Sequence, residues 1–258
     1  TDGDFNVGAS SDGELVRLIE EKRKSGIFLT VLGFGTGNYK DSKMEKLADK
    51  GNGNYACIDD ILEARKVLVN EMGGTLLTIA KDVKIQVEFN PAQVKAYRLI
   101  GYENRLLPNE DFDNDLKDAG ELGAGHTVTA LYELIAAGSD EPIPATGELK
   151  YQKTQLVESD DLMTVKLRYK QPDGNDSKLL VRTINASEFQ GLRPSDNFQF
   201  ASEVAEFGLL LRNSEFKGNA SYGRIIERAK QVKGDDEEGY RAEFIRLVQK
   251  ARLLEETI

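Results

Sequence analysis

The stretch Ile27-Phe28-Leu29-Thr30-Val31-Leu32 is an almost continuous apolar run. Such a run is typical of a β-strand that helices cover on both faces. Helical signals lie on either side of it. Ser11-Asp12-Gly13-Glu14 opens a helix that ends at Ser25-Gly26, and a short helix is predicted over Met44–Lys50. We therefore predict a strand over residues 27–32 at the centre of an α/β arrangement.

A second strand and a further helix continue this rhythm. Asn54-Tyr55-Ala56-Cys57-Ile58 has the pattern of a short strand, and Asp59-Asp60 caps a helix that runs to about Met72. Alternating helices and strands predict a doubly wound sheet. We assign this sheet to a first domain, residues 1–77.

From Asp82 the apolar period changes to two. Val83, Ile85, Val87 and Phe89 alternate with polar residues, which predicts a half-buried antiparallel strand. Further strands are predicted over residues 94–102, 127–135, 147–152, 162–170 and 179–184. Six short strands with polar turns indicate a β-sandwich or a similar two-layer sheet, assigned to a second domain, residues 78–190.

After Arg193-Pro194 the period becomes helical. Roughly three amphipathic helices are predicted over residues 191–258, and they must cover either one another or the β-rich domain. The last helix carries the longest stripe, which we interpret as core: Tyr240, Phe244, Leu247, Val248, Ala251 and Leu254. The predicted fold class is α/β plus α+β: a partial doubly wound sheet, an antiparallel sandwich-like region and a C-terminal helical bundle.

Composition excludes several function classes. The 258 residues carry a net charge of −10, and basic residues alternate with acidic ones, which argues against nucleic acid as a partner. No apolar run is long enough to predict a transmembrane segment. The single cysteine, Cys57, excludes an intrachain disulfide framework and a cysteine zinc cluster.

Several motifs resemble one bacterial family. The opening residues 1–8 and the loops at 31–35, 37–41 and 50–55 resemble the second half of the von Willebrand factor A domain in YfbK-like proteins. The stretches 101–105, 118–133 and 239–244 resemble the C-terminal region of the same family, so the resemblance covers essentially the whole chain. It implies that residues 1–77 are the C-terminal half of an A domain.

The resemblance implies a metal site that this chain does not complete. In the family a Mg²⁺ ion is held at strand ends, and the Asp of the Thr-Asp-Gly turn, here Asp2, contributes through water. The other ligand loops lie upstream of this position in the family pattern. The alternative is that Asp2 only bonds its own backbone. The chain is also expected to expose a sheet edge, through which it could oligomerise.

The function implied is non-enzymatic protein binding in the bacterial cell envelope, periplasmic or lipid-anchored. The A domain would bind, through Mg²⁺, a protein partner that presents an acidic group. Two alternatives stay open: a hydrolase with its site near Glu121 and His126, and a structural envelope component without a metal-dependent step. His126 is the sole histidine, which leaves few options for general base catalysis near neutral pH.

The acidic stretch 110–118 resembles a calcium loop only at its start. An EF-hand loop counted from Asp111 needs Gly and Glu where the chain has Leu116 and Leu122. We interpret this stretch as a solvated acidic loop, with an irregular calcium site as the alternative. Asp118, Glu121 and His126 could also converge as metal ligands.

Overall fold

The end of the apolar run 27–32 lies in a small parallel sheet flanked by helices. In the computed structural model, α1 spans Asp12–Lys24, β1 Val31–Gly33, α2 Asp41–Lys50 and β2 Tyr55–Cys57, and β1 pairs with β2 in parallel. The structure describes residues 1–4, 11–35, 37, 39–102, 105–117, 119–143, 157 and 159–256. The predicted mixed α/β fold is confirmed.

Apolar residues from one face of each element form the core around β1. The buried members are Val31, Met44, Leu47 and Ala48, and α1 contributes the partly buried Leu15, Val16 and Ile19. Ser11 caps α1 as predicted, because its hydroxyl accepts a hydrogen bond from the backbone N–H of Glu14 at 3.3 Å.

The predicted strand over 27–32 is wrong at its start. Only Val31–Gly33 forms the strand, and Ile27 and Phe28 are exposed. The physical reason is the path of the partner chain. Before β2 the partner chain turns at residues 51–53, so that only single bonds precede the ladder, from Leu29 N–H to the carbonyl of Gly51 and from Asn54 N–H to the Thr30 hydroxyl among the described residues.

The helix predicted from Asp59-Asp60 to about Met72 is interrupted. Asp60 accepts hydrogen bonds from the N–H groups of Leu62 and Glu63 and so caps α3, Ile61–Arg65. A π-helical turn follows over Lys66–Asn70, and α4 spans Met72–Leu76. The extra residue of the π turn changes the phase of the helix. The Ile61–Leu76 segment leaves a row of large apolar side chains exposed: Ile61, Leu62, Leu68, Val69, Met72 and Leu76.

Two further sheets follow. Strands β3 (Thr78–Phe89), β5 (Gly120–Gly123), β7 (Asp161–Lys170) and β8 (Ser177–Asn185) form one sheet in the order β5-β3-β7-β8. Strands β4 (Val94–Ile100) and β6 (Leu131–Ala136) form the other and are antiparallel. Strand β5 was not predicted, and the strand expected from residue 127 begins only at Leu131. The strand predicted over 147–152 lies outside the described residues.

Strand β3 contradicts the predicted alternation near its middle. Lys84 is buried, only 3% exposed, whereas Ile85 is 51% exposed. The ordinary expectation would place the lysine outside and the isoleucine inside. A loop between β4 and β5 covers the Lys84 face instead, and its contacts are described with the site below.

The C-terminal helices follow the prediction most closely. Helices α5 (Asp196–Leu211), α6 (Tyr222–Gln231) and α7 (Tyr240–Glu255) share one apolar core. Its buried members are Phe207, Ile225, Ile226, Ala229, Ile245 and Val248. The helices therefore do cover one another. Leu247 and Leu254 are exposed, however, so the predicted core stripe of α7 is only partly core.

A partly buried ion pair joins α5 to α6 beside this core. The Glu203 carboxylate is 2.9 Å from the Arg228 guanidinium, and Glu206 pairs with the same arginine. Burial raises the pKa of Glu203, although the charge of Arg228 opposes the rise.

The chain forms two compact units, each built from separate segments. The first comprises Thr1–Glu88, Leu107–Thr127 and Thr164–Arg182, and the second Phe89–Leu106, Val128–Met163 and Thr183–Ile258. The predicted division at residues 77 and 190 concerns folding domains and stays a prediction. Across the described ranges, no helix is both long and apolar enough to cross a membrane.

Candidate functional site

The Thr1-Asp2-Gly3 turn lies at the carboxyl end of β1. The amino group of Thr1 donates to the carbonyl of Leu32 at 3.2 Å, and the N–H of Phe34 donates to the carbonyl of Thr1 at 2.7 Å. Gly33, between these two residues, uses its carbonyl for β2 through the N–H of Ile58. Because neighbouring carbonyls in a strand point to opposite sides, Thr1 lies on the side of β1 away from β2.

Asp2 is held firmly by its surroundings. Its Oδ1 accepts a hydrogen bond from the N–H of Asp4 at 3.1 Å, and its backbone carbonyl accepts one from Lys40 at 2.9 Å. Gly3 has a φ of +84°, and a Cβ there would lie 2.7 Å from the Cβ of Lys40. The turn therefore requires glycine and packs directly against the start of α2.

The loop after β1 completes the surroundings of Asp2. A Cβ at Gly35 would lie 3.5 Å from the Cβ of Asp2, so the two backbones are close neighbours. Gly33 serves a different purpose: a Cβ there would lie 1.9 Å from the hydroxyl of Tyr39. Gly33 at the end of β1 thus makes room for Tyr39, and Gly35 in the following loop makes room for Asp2.

A chain of phenols, which the sequence analysis missed, lies beside this loop. The hydroxyls of Tyr39 and Tyr55 are 2.7 Å apart, and Tyr55 donates to Asp41 Oδ1 at 2.5 Å. Burial raises the pKa of both tyrosines, and Cys57 near Tyr39 and Asp41 near Tyr55 raise them further. Both phenols therefore stay protonated at neutral pH and orient the loop instead of acting as bases.

The residues of this turn do not fit a complete Mg²⁺ site. Mg²⁺ demands near-octahedral oxygen coordination, and it usually binds through one or two carboxylates with several waters. Asp2 supplies one carboxylate, whose Oδ1 already accepts a hydrogen bond. Among the residues that the structure describes, no three His, Cys, Asp or Glu side chains are grouped to hold a metal. The role of Asp2 as a metal contributor stays a prediction.

The described part of the acidic stretch, residues 110–117, is tied to the four-stranded sheet by basic side chains. The buried Lys84 ammonium donates to the carbonyls of Asp111 and Asn114, at 3.0 and 2.5 Å. Arg168 pairs with Asp115 at 2.9 Å and with Asp113 at 3.3 Å. Residues 113–117 are exposed, as predicted for a solvated acidic loop, and the pairing of Asp113 and Asp115 with Arg168 of the sheet adds an attachment that the sequence did not predict.

Two more contacts close this charged face. Lys170 pairs with Asp82 at 2.7 Å, and Ser177 donates to Asp115 Oδ1 at 2.5 Å. The hydrogen bond from the Ser177 hydroxyl holds the pKa of Asp115 below its ordinary value, and a hydrogen bond from Arg168 lowers it further. Burial lowers the pKa of Lys84. We call this set, residues 111–117 with Asp82, Lys84, Arg168, Lys170 and Ser177, the charged strap.

Glu121 and His126 occupy different surroundings. Glu121 on β5 accepts a hydrogen bond from the side chain of Asn52 at 3.2 Å. His126 follows β5 and is exposed, while Gly123 before it packs so closely on Gly74 that a Cβ would lie 1.6 Å from its carbonyl oxygen. Asp118, the third predicted partner, lies outside the described residues. No hydrogen bond between Glu121 and His126 occurs in the described part of the chain.

Comparison with known proteins identifies one family. A family model described as "Uncharacterized protein YfbK, C-terminal" matches residues 74–254. The chain is also 45% identical over 259 residues to "Uncharacterized protein YfbK" from Escherichia coli (strain K12). This match covers 97% of the chain and 43% of the relative, so the chain spans less than half of the length of the relative. The predicted resemblance is confirmed.

Two solved structures show a more distant similarity. The ArnB paralog VWA2 from Sulfolobus acidocaldarius is 12% identical, with a TM-score of 0.40 over 86% of this chain and 51% of that one. A von Willebrand factor type A protein from Catenulispora acidiphila is 15% identical, with a TM-score of 0.33 over 88% and 53%.

Proposed function

This chain belongs to the YfbK C-terminal family, and on that premise we propose that it is a non-enzymatic protein-interaction module of the bacterial cell envelope. The partner is a protein that presents an acidic group. The group is bound at the edge of the parallel sheet where Asp2 lies, with Mg²⁺ as the bridging ion.

The observation that carries this proposal is the location of the Thr1-Asp2-Gly3 turn. Hydrogen bonds to Leu32 and Phe34 hold the turn beside the carboxyl end of β1. In open α/β sheets, ligands bind in the crevice outside the carboxyl ends of the strands. A rigid carboxylate at this edge suits a role in holding a divalent cation or its bound water.

Only part of the metal chemistry would come from this chain. Asp2 would orient a water molecule of the ion, and the Gly33–Gly35 loop would leave space beside it. When bound, Mg²⁺ would supply an open coordination position for the partner's carboxylate. The residues that the structure describes do not supply the remaining ligands, because no three of their His, Cys, Asp or Glu side chains are grouped to hold a metal.

One feature supports a role without catalysis. Glu121 is engaged by Asn52, whereas His126 is exposed beyond the end of β5. A hydrolase centred on Glu121 and His126 would need these side chains to meet, and no contact of the described residues favours it.

Paramagnetic NMR tests the proposed metal edge on this chain. Mn²⁺ prefers oxygen ligands as Mg²⁺ does, and it broadens the amide signals of nearby residues even when it binds weakly. We expect broadening at Asp2, Gly3 and Gly35 that excess Mg²⁺ reverses and that Asp2→Ala removes. Asp4→Ala is the matched control and should leave the broadening in place. Broadening confined to residues 111–117, or insensitive to Asp2→Ala, would contradict the proposal.

The envelope location is tested separately from metal binding. Cells producing the E. coli relative would be separated into cytosolic and envelope fractions, and its position would be followed by immunoblotting beside a marker of each compartment. The proposal expects the relative in the envelope fraction. Recovery with the cytosolic marker would overturn this part of the proposal and leave the protein-binding part standing.

A further inference from the structure

Helix α7 carries a second apolar face in addition to the one in the helical core. Ile245 and Val248 are buried against α5 and α6. Leu247 and Leu254, by contrast, are 52% and 67% exposed, and Tyr240 is 37% exposed. Large apolar side chains that remain exposed in one row mark a surface for association. We call this row the outer stripe of α7.

The spacing of the outer stripe is regular. Tyr240, Leu247 and Leu254 follow one another at intervals of seven residues, which places them in one line along a helix. Between them, Glu243 and Lys250 are exposed and are also seven residues apart. The sixteen residues of α7 span about 24 Å, long enough for a short helix pair.

The charged residues on this face have opposite signs on the two sides of its centre. Glu243 lies before Leu247 and Lys250 lies after it, at nearly equal distances along the chain. Two identical helices that run antiparallel across a two-fold axis near Leu247 would bring each Glu243 opposite a Lys250. A parallel pair would instead bring like charges together. Only the antiparallel arrangement is therefore self-complementary.

We propose that the outer stripe of α7 is a dimerisation surface that pairs with the same stripe of a second copy of this chain. Leu247 packs on Leu247 at the two-fold axis, and Tyr240 packs on Leu254 at each end. Two reciprocal Glu243–Lys250 ion pairs set the direction and the register. This surface is distinct from the exposed sheet edge expected from the sequence.

The dimer is expected to be weak. The contact involves a few turns of one helix, far less than the roughly 800 Å² per partner of a stable interface. Arg246 flanks the stripe and comes near Arg246 of the second copy, a like-charge contact that opposes association. The association should therefore be visible only at high protein concentration.

Charge exchange tests the proposal without disturbing the core. Sedimentation equilibrium over a wide range of concentrations would give the dimerisation constant of this chain and of three variants. Glu243→Lys and Lys250→Glu each replace two ion pairs with two like-charge pairs and should weaken the dimer about tenfold. The double variant reverses both charges and should restore the original constant.

The matched control variants for this test lie on helix α6. Glu227→Lys and Lys230→Glu exchange the same residue types at exposed positions of α6 and should leave the dimerisation constant unchanged. Circular dichroism would verify that every variant keeps its helices. A chain that stays monomeric at all concentrations would overturn the proposal. So would a dimer that tolerates both single exchanges, or one that the double exchange does not restore.

Discussion

The helical core and the charged strap are stabilised by opposite means. In the core, Ile225, Ala229 and Val248 are fully buried within one apolar cluster. In the strap, the group with the least exposure is an ammonium, Lys84, which holds a loop through two carbonyl oxygens. The comparison teaches that burial in this protein does not follow apolar character alone. A polar face can be closed when a loop supplies the hydrogen bonds.

The largest expected effect lies in the helical core. Ile225→Ala removes a completely buried side chain and leaves a cavity between α5, α6 and α7. We expect a loss of about 3 kcal/mol in the free energy of unfolding, measured by urea denaturation followed by circular dichroism. Leu211→Ala, at an exposed position of α5, is the control and should change the same quantity by less than about 0.5 kcal/mol. Equal effects at the two positions would remove the distinction between core and surface.

The strap should fail in a different way. Lys84→Met keeps most of the volume but leaves the carbonyls of Asp111 and Asn114 without their donor. We expect a loss of about 1–3 kcal/mol in the free energy of unfolding. Hydrogen exchange should become faster in residues 111–117 while the helical core keeps its protection. The control Lys178→Met lies at an exposed position of β8 and should leave exchange in the loop unchanged. Unchanged exchange in Lys84→Met would show that the strap does not depend on its buried cation.

A smaller effect on the free energy of unfolding is expected for Asp236, a charged side chain in the helical region. Asp236 accepts hydrogen bonds from the N–H groups of Arg241 and Ala242, at 3.0 and 2.8 Å. Burial alone would raise the pKa of Asp236, but these two N–H groups lower it below the ordinary value. Asp236→Ala should therefore cost about 1 kcal/mol at neutral pH, measured by urea denaturation.

The effect of Asp236 must depend on pH in one direction. Since its pKa is lowered on folding, its contribution is present above the unfolded pKa near 3.8 and is lost as pH falls through the folded pKa. The wild type and Asp236→Ala should therefore converge in stability below pH 3.8. A difference that grows with acidification would contradict the assignment of these hydrogen bonds.

The smallest expected effect is on a single ionisation in the strap. The Ser177 hydroxyl is the main reason that the pKa of Asp115 is low, and Arg168 adds to it. Ser177→Ala should raise the pKa of Asp115 toward its ordinary value, as followed by NMR titration of the carboxyl carbon. Asp236, whose pKa is lowered by the N–H groups of Arg241 and Ala242, is the internal control and should titrate alike in both proteins. An unchanged pKa of Asp115 would show that Arg168 alone is responsible.

The same comparison explains which parts of the fold could be predicted from the sequence. Helices α5 to α7 were predictable because apolar residues recur at helical spacing within each of them, as Ile225 and Ala229 do in α6, and their partners are other helices with the same pattern. Lys84 was not predictable, because its burial depends on carbonyl groups of a loop 27 or more residues away. Alternation along β3 carries no information about that loop.

Smaller errors have equally local causes. Strand β1 is short because its partner chain turns at residues 51–53, and the helix after Asp60 is interrupted by a π turn that no residue type predicts. Leu247 and Leu254 share the helical spacing of the core, yet both are exposed. The spacing predicts that residues lie in a row along α7, but it does not predict whether another element packs on that row.

The candidate site was predictable only in part. The resemblance led to Asp2, and the structure places that residue at the carboxyl end of β1. The Tyr39–Tyr55–Asp41 chain was not found, because the three side chains meet only after the loop and β2 have folded together. The one available signal for this chain of side chains was Gly33, a glycine that precedes a loop with an aromatic residue.

The proposed function is tested most directly by calorimetry with Mg²⁺. The ion would be titrated into this chain and, in parallel, into the full-length E. coli relative, of which the chain matches 43%. The proposal predicts binding heat for the relative, and much weaker or no measurable heat for this chain, since Asp2 alone does not complete an octahedral site. No heat from the relative, or equally tight binding by both proteins, would contradict it.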